Sequence, residues 1–139
     1  MTNTNETEWL RAYTLELFNR SVTDICRIQS PDPFAIGRGN SIGSVQFFNH
    51  PTPRVRIFAS AARKVDASSK VFKYLNTVNT KSLGPHVYLD DGLATVEMFL
   101  HADGLHEHAL ANAIMLVLIE ACDTGDVLVS AFDAKYVES

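Results

Sequence analysis

The amino-acid sequence predicts an α+β fold in which helices pack on an antiparallel sheet, in the order α-β-β-β-α-β-β-α. Apolar residues recur at helical spacing near the start and in the last third of the chain, and apolar and polar residues alternate in several segments between them. The pair Asp91-Gly92, between two alternating runs, is typical of a two-residue hairpin. Strands joined by hairpins, with helices to one side, characterise this class.

Length and composition predict one globular domain spanning residues 1–139. The chain is 46% hydrophobic and 20% charged, with a formal net charge of -4. A nucleic-acid partner normally requires a basic face, so this charge argues against one. The opening residues lack the basic and apolar sections of a secretory signal, and the apolar run 113–119 is far shorter than the roughly 20 residues that cross a membrane. We therefore predict a cytoplasmic protein without a membrane partner, in which Cys26 and Cys122 are reduced core residues.

The first part of the chain predicts one helix and then strands. The helix is expected to begin near Asn5, because Asn5 and Glu8 have capping-box spacing, and to end within 19–21. Two prolines predict a loop at 30–33. Strands are expected at 34–38, 41–48 and 54–62.

A second helix is expected to begin at Asp66, as its N-cap, and to end near Asn79. Its buried side is formed by Val71, Leu75 and Val78. The hairpin at Asp91-Gly92 then pairs 87–89 with 94–96, so that Leu89 lies opposite Ala94 and Val87 opposite Val96 on the core face.

The last helix is expected to begin at 103–106, and the apolar run 127–132 is interpreted as its continuation. Apolar residues occupy nearly all sides of this helix. A helix of that kind is buried on more than one side. We therefore expect it to contact the sheet and also a second helix or a second subunit.

Residues with catalytic or metal-binding potential are few and poorly spaced. His106 and His108 point about 200° apart on a helix, whereas residues that share a metal lie three or four positions apart. Turn chemistry accounts for Asp90 and Asp91. The glycines of 37–39 precede a strand, not the helix that a phosphate-binding loop requires. The sequence predicts no catalytic residue, no metal site and no cofactor, and hence no enzyme.

The face of the sheet opposite the core is rich in aromatic residues, which alternate with Arg54, Arg56 and Glu97. Such a surface is typical of a protein contact if nothing covers it. Either the second helix or the segment 22–40 covers it, or another molecule does. The candidate binding residues on this face are Phe48, Phe58, Tyr88, Leu93 and Phe99. On the second helix, Phe72 and Tyr74 either belong to the same surface or are ordinary half-buried residues.

The order of these segments resembles the bacterial YbjN and type III secretion chaperone-like family. The matching segments are Val55–Phe58, Val65–Ser68, Tyr74–Asn79, Val87–Gly92, Ala94–Ala102 and Leu105–Asp123. The resemblance implies a helix-and-sheet sandwich, a homodimer and the binding of extended client segments over apolar surface. Asn76 and Asn79 stand in its most characteristic segment, and we interpret them as structural, with amides that satisfy backbone groups.

These observations favour a non-catalytic polypeptide-binding chaperone or adaptor that acts as a dimer. Two alternatives remain open. One is a regulatory or structural homodimer with no client, in which the aromatic face is used for self-association. The other is a small-molecule sensor or a minor enzyme that uses the histidine cluster, with a pocket lined by His101 or His106.

Overall fold

The computed structural model describes residues 4–22, 27–31, 34–38 and 41–137. A π-helical turn, Phe18–Val22, follows the first helix, and a 3-10 turn, Ala102–Gly104, precedes the last. The helices are α1 (Thr4–Leu17), α2 (Ser69–Lys81) and α3 (Glu107–Phe132). The strands are β1 (Arg27–Pro31), β2 (Phe34–Arg38), β3 (Ser41–Phe48), β4 (Arg54–Ala62), β5 (His86–Asp90) and β6 (Leu93–His101).

The strands form one antiparallel sheet in the order β1-β2-β3-β4-β6-β5. This confirms the predicted α+β class and element order, with β1 as an additional strand. The predicted loop at 30–33 is wrong for Ser30 and Pro31, which end β1; residues 32–33 lie outside the described part. A proline is tolerated there because β1 is an edge strand, where a missing N–H breaks no interior ladder.

The β5–β6 hairpin has the predicted register. Asp91 and Gly92 have φ of 49° and 78°, the positive values that a type I′ turn requires at both central positions. Leu89 pairs with Ala94 and Val87 with Val96, as expected. The local turn chemistry thus determines which residues of β5 and β6 enter the core.

The three α-helices of the described ranges pack on the same face of the sheet. The core lies between α3 and the sheet face that carries Val55 and Ile57, and α1 and α2 lie beside α3. Gly125 allows α3 to approach β4 closely, because a Cβ at this position would come closer than 3.0 Å to the carbonyl oxygen of Ala61. The prediction that the last helix packs on more than one side is confirmed.

The ends of the helices differ from the expectations by a few residues. Ser68 rather than Asp66 caps α2, and its Oγ accepts a hydrogen bond of 3.2 Å from the Val71 N–H. The helix continues to Lys81, past the expected end at Asn79. The predicted stop at 19–21 lies inside the π-helical turn. The segment 127–132 is part of α3, as predicted.

Cys122 is a free, exposed cysteine on α3, so its prediction as a core residue is wrong. It lies on an apolar helix, but the helix turns its side chain away from the sheet. Cys26 lies outside the described residues. Among the helices of the described chain, none is long and apolar enough to span a membrane.

Candidate functional site

We call the sheet surface opposite the helices the outer face. The strand pairing places five of the predicted binding residues on this face, together with the charged residues Arg54, Arg56 and Glu97. Phe48 lies across from Arg54, which in turn lies across from His101. The residues of this face include Phe48, Arg54, Arg56, Phe58, Tyr88, Leu93, Glu97, Phe99 and His101.

The helices leave this face accessible. Phe99 is 38% exposed and Leu93 37%, whereas Val55 and Ile57 on the opposite face are fully buried. Phe48, Phe58 and Tyr88 are partly exposed. The second helix and the segment 22–40 were the two parts of the chain considered as covers of this face. The second helix, α2, lies on the helical side of the sheet, and β1 and β2 extend the sheet at its edge. The rings of the outer face are therefore not buried under the described helices.

Arginines of the same sheet cover the rings instead. The guanidinium carbon of Arg56 lies 3.9 Å from the ring centroid of Phe58. That of Arg54 lies 4.9 Å from the centroid of Phe48 and 5.4 Å from that of Phe99. These are cation–π distances. The surface thus presents aromatic rings and guanidinium groups together.

Arg56 organises the centre of the outer face. Its Nε donates to Glu97 Oε2 at 2.6 Å, its Nη2 to the Tyr88 hydroxyl at 2.9 Å and its Nη1 to Gln46 Oε1 at 3.1 Å. Glu97 also lies 3.0 Å from His86 Nε2. Because the Arg56 and Glu97 side chains are only 18% and 13% exposed, this network is a fixed part of the sheet surface.

The network divides the apolar part of the outer face in two. Phe48 and Phe99, with ring centroids 6.4 Å apart, lie on one side of it. Leu93 lies roughly 20 Å from Phe99 along β6, because side chains on one face of a strand are spaced about 6.6 Å apart. The face is an amphipathic surface rather than one continuous apolar patch.

The structure does not bring Phe72 and Tyr74 to the outer face. Both lie on α2, on the helical side of the sheet. Phe72 is 50% exposed. The Tyr74 ring packs 5.5 Å from that of Phe132, and burial raises the pKa of Tyr74 although its hydrogen bond with Thr124 acts in the opposite direction.

Asn79 occupies the edge of the sheet at β5. Its Oδ1 accepts a hydrogen bond of 2.7 Å from the Val87 N–H, and its Nδ2 donates one of 2.9 Å to the Val87 carbonyl. Both Val87 groups point away from β6, so the Asn79 amide takes the place of a neighbouring strand. The interpretation of Asn79 as a structural residue is confirmed.

The rings of His106 and His108 lie close together, with centroids 6.2 Å apart. The expectation that they point about 200° apart is wrong, because His106 is the N-cap of α3 and does not have helical backbone angles. Nδ1 of His106 accepts a hydrogen bond of 3.3 Å from the Ala109 N–H and so caps α3. His101 Nδ1 lies 3.5 Å from the Thr52 hydroxyl. Within the described ranges, no group of three or more His, Cys, Asp or Glu side chains is arranged to hold a metal ion.

Residues 8–136 match the TY-Chap1 family, described as "T3SS (YopN, CesT) and YbjN peptide-binding chaperone 1". The chain belongs to this family. The resemblance seen in the sequence is thereby confirmed, and the family description indicates a peptide-binding chaperone function. A comparison with curated proteins found no match.

Sequence reasoning identified the aromatic residues of the outer face but missed two features of it. One is the stacking of Arg54 on rings of the neighbouring strands and of Arg56 on Phe58 of its own strand, for which the spacing of Arg and Phe on one face is the available signal. The other is the occupation of the β5 edge by Asn79, which no local pattern indicates because the partner, Val87, belongs to another element.

Proposed function

We propose that this TY-Chap1 protein binds extended polypeptide segments on the outer face of its sheet. The observation that carries the proposal is that β3, β4, β5 and β6 each place an aromatic side chain on a face that the described helices leave accessible. The family description supports polypeptide as the ligand class.

Binding on this face is expected to proceed through side chains. Apolar client residues would contact the exposed parts of Phe48 and Phe99 and the methylene groups of the neighbouring arginine, which are apolar although the head group is charged. Strand addition at β5 would first have to displace the Asn79 amide from Val87. The outer face therefore offers a less costly mode of contact than strand addition at the β5 edge.

The test is the affinity of labelled apolar peptides for Phe99→Ser, measured by fluorescence anisotropy. Complete burial of one aromatic side chain stabilises by about 1.5–3 kcal/mol. Phe99 is already partly buried in the free protein, so its further burial by a client contributes the lower part of this range. Loss of the contact is therefore expected to weaken binding about tenfold. Phe72→Ser is the matched control, because Phe72 is also exposed but lies on the helical side. If Phe72→Ser weakens binding and Phe99→Ser does not, the client lies on α2 and the proposal is wrong.

A homodimer, which the family resemblance implies, is the second part of the proposal. Met115, Leu116 and Ile119 lie on one side of α3 at helical spacing and remain partly or largely exposed. A second copy packed on these residues would bury them. The cytoplasmic location predicted from the sequence stays a prediction.

Sedimentation velocity tests this contact. Ile119→Lys is expected to shift a dimer towards the monomer, because it places a charge at the centre of the contact. Leu83→Lys is the control, because Leu83 is 85% exposed in the loop after α2. A dimer that survives Ile119→Lys unchanged would place the contact elsewhere.

A further inference from the structure

One end of the outer face carries an arginine whose charge is not balanced by the sheet. This end, which we call the Arg54 end, consists of Phe48, Arg54, Phe99 and His101. Within the described chain, no carboxylate lies at ion-pair distance from the Arg54 guanidinium. Arg56, by contrast, is paired with Glu97.

The hydrogen bonds of Arg54 use only part of its donor capacity. Its Nη1 donates to the carbonyl oxygens of His50 and Thr52 and so holds the turn before β4. Among the described residues, neither Nε nor Nη2 has a hydrogen-bond partner. A guanidinium stacked over rings keeps its in-plane N–H groups available, and a pair of such donors matches the two oxygens of a carboxylate.

The surroundings favour a negative ligand group with an apolar neighbour. The rings of Phe48 and Phe99 flank the guanidinium and limit its access to water, which strengthens an ion pair formed there. His101 pairs directly across the strand from Arg54 and brings no negative charge. An acidic side chain can therefore reach Arg54 while the adjoining client residue contacts a ring.

We infer that the Arg54 end selects client segments in which an Asp or Glu stands beside an aromatic or aliphatic residue. This inference rests on the proposed function, because it names the kind of segment that the outer face takes. The occupant is an acidic-apolar polypeptide, and the unbalanced positive charge of Arg54 is the complementary feature that identifies it.

The experiment compares three labelled peptides that share an apolar sequence and differ at one central position, which is Glu, Gln or Lys. At low ionic strength, anisotropy is expected to show that the Glu peptide binds about five to ten times more tightly than the Gln peptide, because it forms one charge-assisted hydrogen-bonded pair with Arg54. The Lys peptide should bind least tightly. Arg54→Gln should abolish this preference. Arg20→Gln, which removes the same charge from an exposed pair with Glu16, should retain it.

Each outcome bears on one proposal. Equal affinity of wild-type protein for the Glu and Gln peptides, with both weakened by Phe99→Ser, would overturn this inference and leave the proposed function standing. Absence of any peptide binding to the outer face would overturn the proposed function. If Arg54→Gln instead abolishes self-association and leaves the peptide preference intact, Arg54 serves a second copy and the inference is wrong. The wild-type peptide comparison holds even if Arg54→Gln unfolds the turn before β4.

Discussion

Replacing Asn79 with alanine removes its two hydrogen bonds to Val87 of the edge strand β5. Each bond is worth about 0.5–1.5 kcal/mol net, so their loss should lower the free energy of unfolding by about 1–3 kcal/mol. Asn79 is exposed, and water can therefore reach the Val87 groups after the change. This favours the lower half of that range.

Asn76→Ala provides the reference for this measurement. Asn76 lies one turn earlier on α2, is exposed, and has no described side-chain hydrogen bond. Alanine favours a helix over asparagine by roughly half a kcal/mol at either position, so the difference between the two variants isolates the contact with Val87. Chemical denaturation, analysed with equal m-values, gives both free energies.

Two further readouts follow from the same geometry. The Val87 amide should exchange its proton faster in Asn79→Ala, because its acceptor is gone. An unpaired edge also promotes strand pairing between molecules, so sedimentation should detect association at high concentration in Asn79→Ala and not in Asn76→Ala. Equal unfolding free energies within about 0.5 kcal/mol, with unchanged Val87 exchange, would refute the assignment of Asn79 as the edge partner.

Other predictions concern helix packing and pH. Gly125→Ala should destabilise the protein by about 1–3 kcal/mol despite the better helix propensity of alanine, because the new Cβ collides with the Ala61 backbone. Gly104→Ala is the control: Gly104 has open space around it, so this change should alter the free energy of unfolding by less than about 0.5 kcal/mol. Thermal denaturation of both variants checks this, and a neutral Gly125→Ala would contradict the close approach. Burial, together with the charge of Asp123, raises the pKa of Glu120 above its ordinary value of 4.5. The folded protein therefore favours the protonated carboxyl. The contribution of Glu120 to stability is fully present below pH 4.5 and is lost as pH rises through the pKa in the folded state. Glu120→Gln should therefore gain stability relative to the wild type between acidic and neutral pH, and denaturation curves in which the difference is constant with pH would show that the carboxyl is not perturbed.

Local patterns in the sequence predicted most of the fold. Asp91-Gly92 specified the β5–β6 hairpin, and with it the register of both strands. The alternation in β4 separated Val55 and Ile57 from Arg54 and Arg56, and so defined the core face and the outer face before any contact was known. These predictions succeed because side-chain direction in a strand follows from sequence position alone.

Errors occurred where a distant part of the chain decides the outcome. Pro31 belongs to β1 because the strand lies at the edge of the sheet, a position that sequence spacing does not reveal. Cys122 is exposed because the sheet and the neighbouring helices occupy the other sides of α3. Ser68 displaced Asp66 as the cap of α2, since several residues in 66–69 can cap a helix and its packing selects one of them.

The sequence by itself determined the class of fold, the core face and the aromatic composition of the outer face, because these depend on periodicity within single elements. Only the tertiary structure decided that the helices leave the outer face accessible, that Arg54 and Arg56 stack on its rings, and that Asn79 occupies the β5 edge. Arg56 and Phe58 both lie on β4, but the other features join residues from different elements. Their distances depend on how the elements pack together, which no single segment encodes.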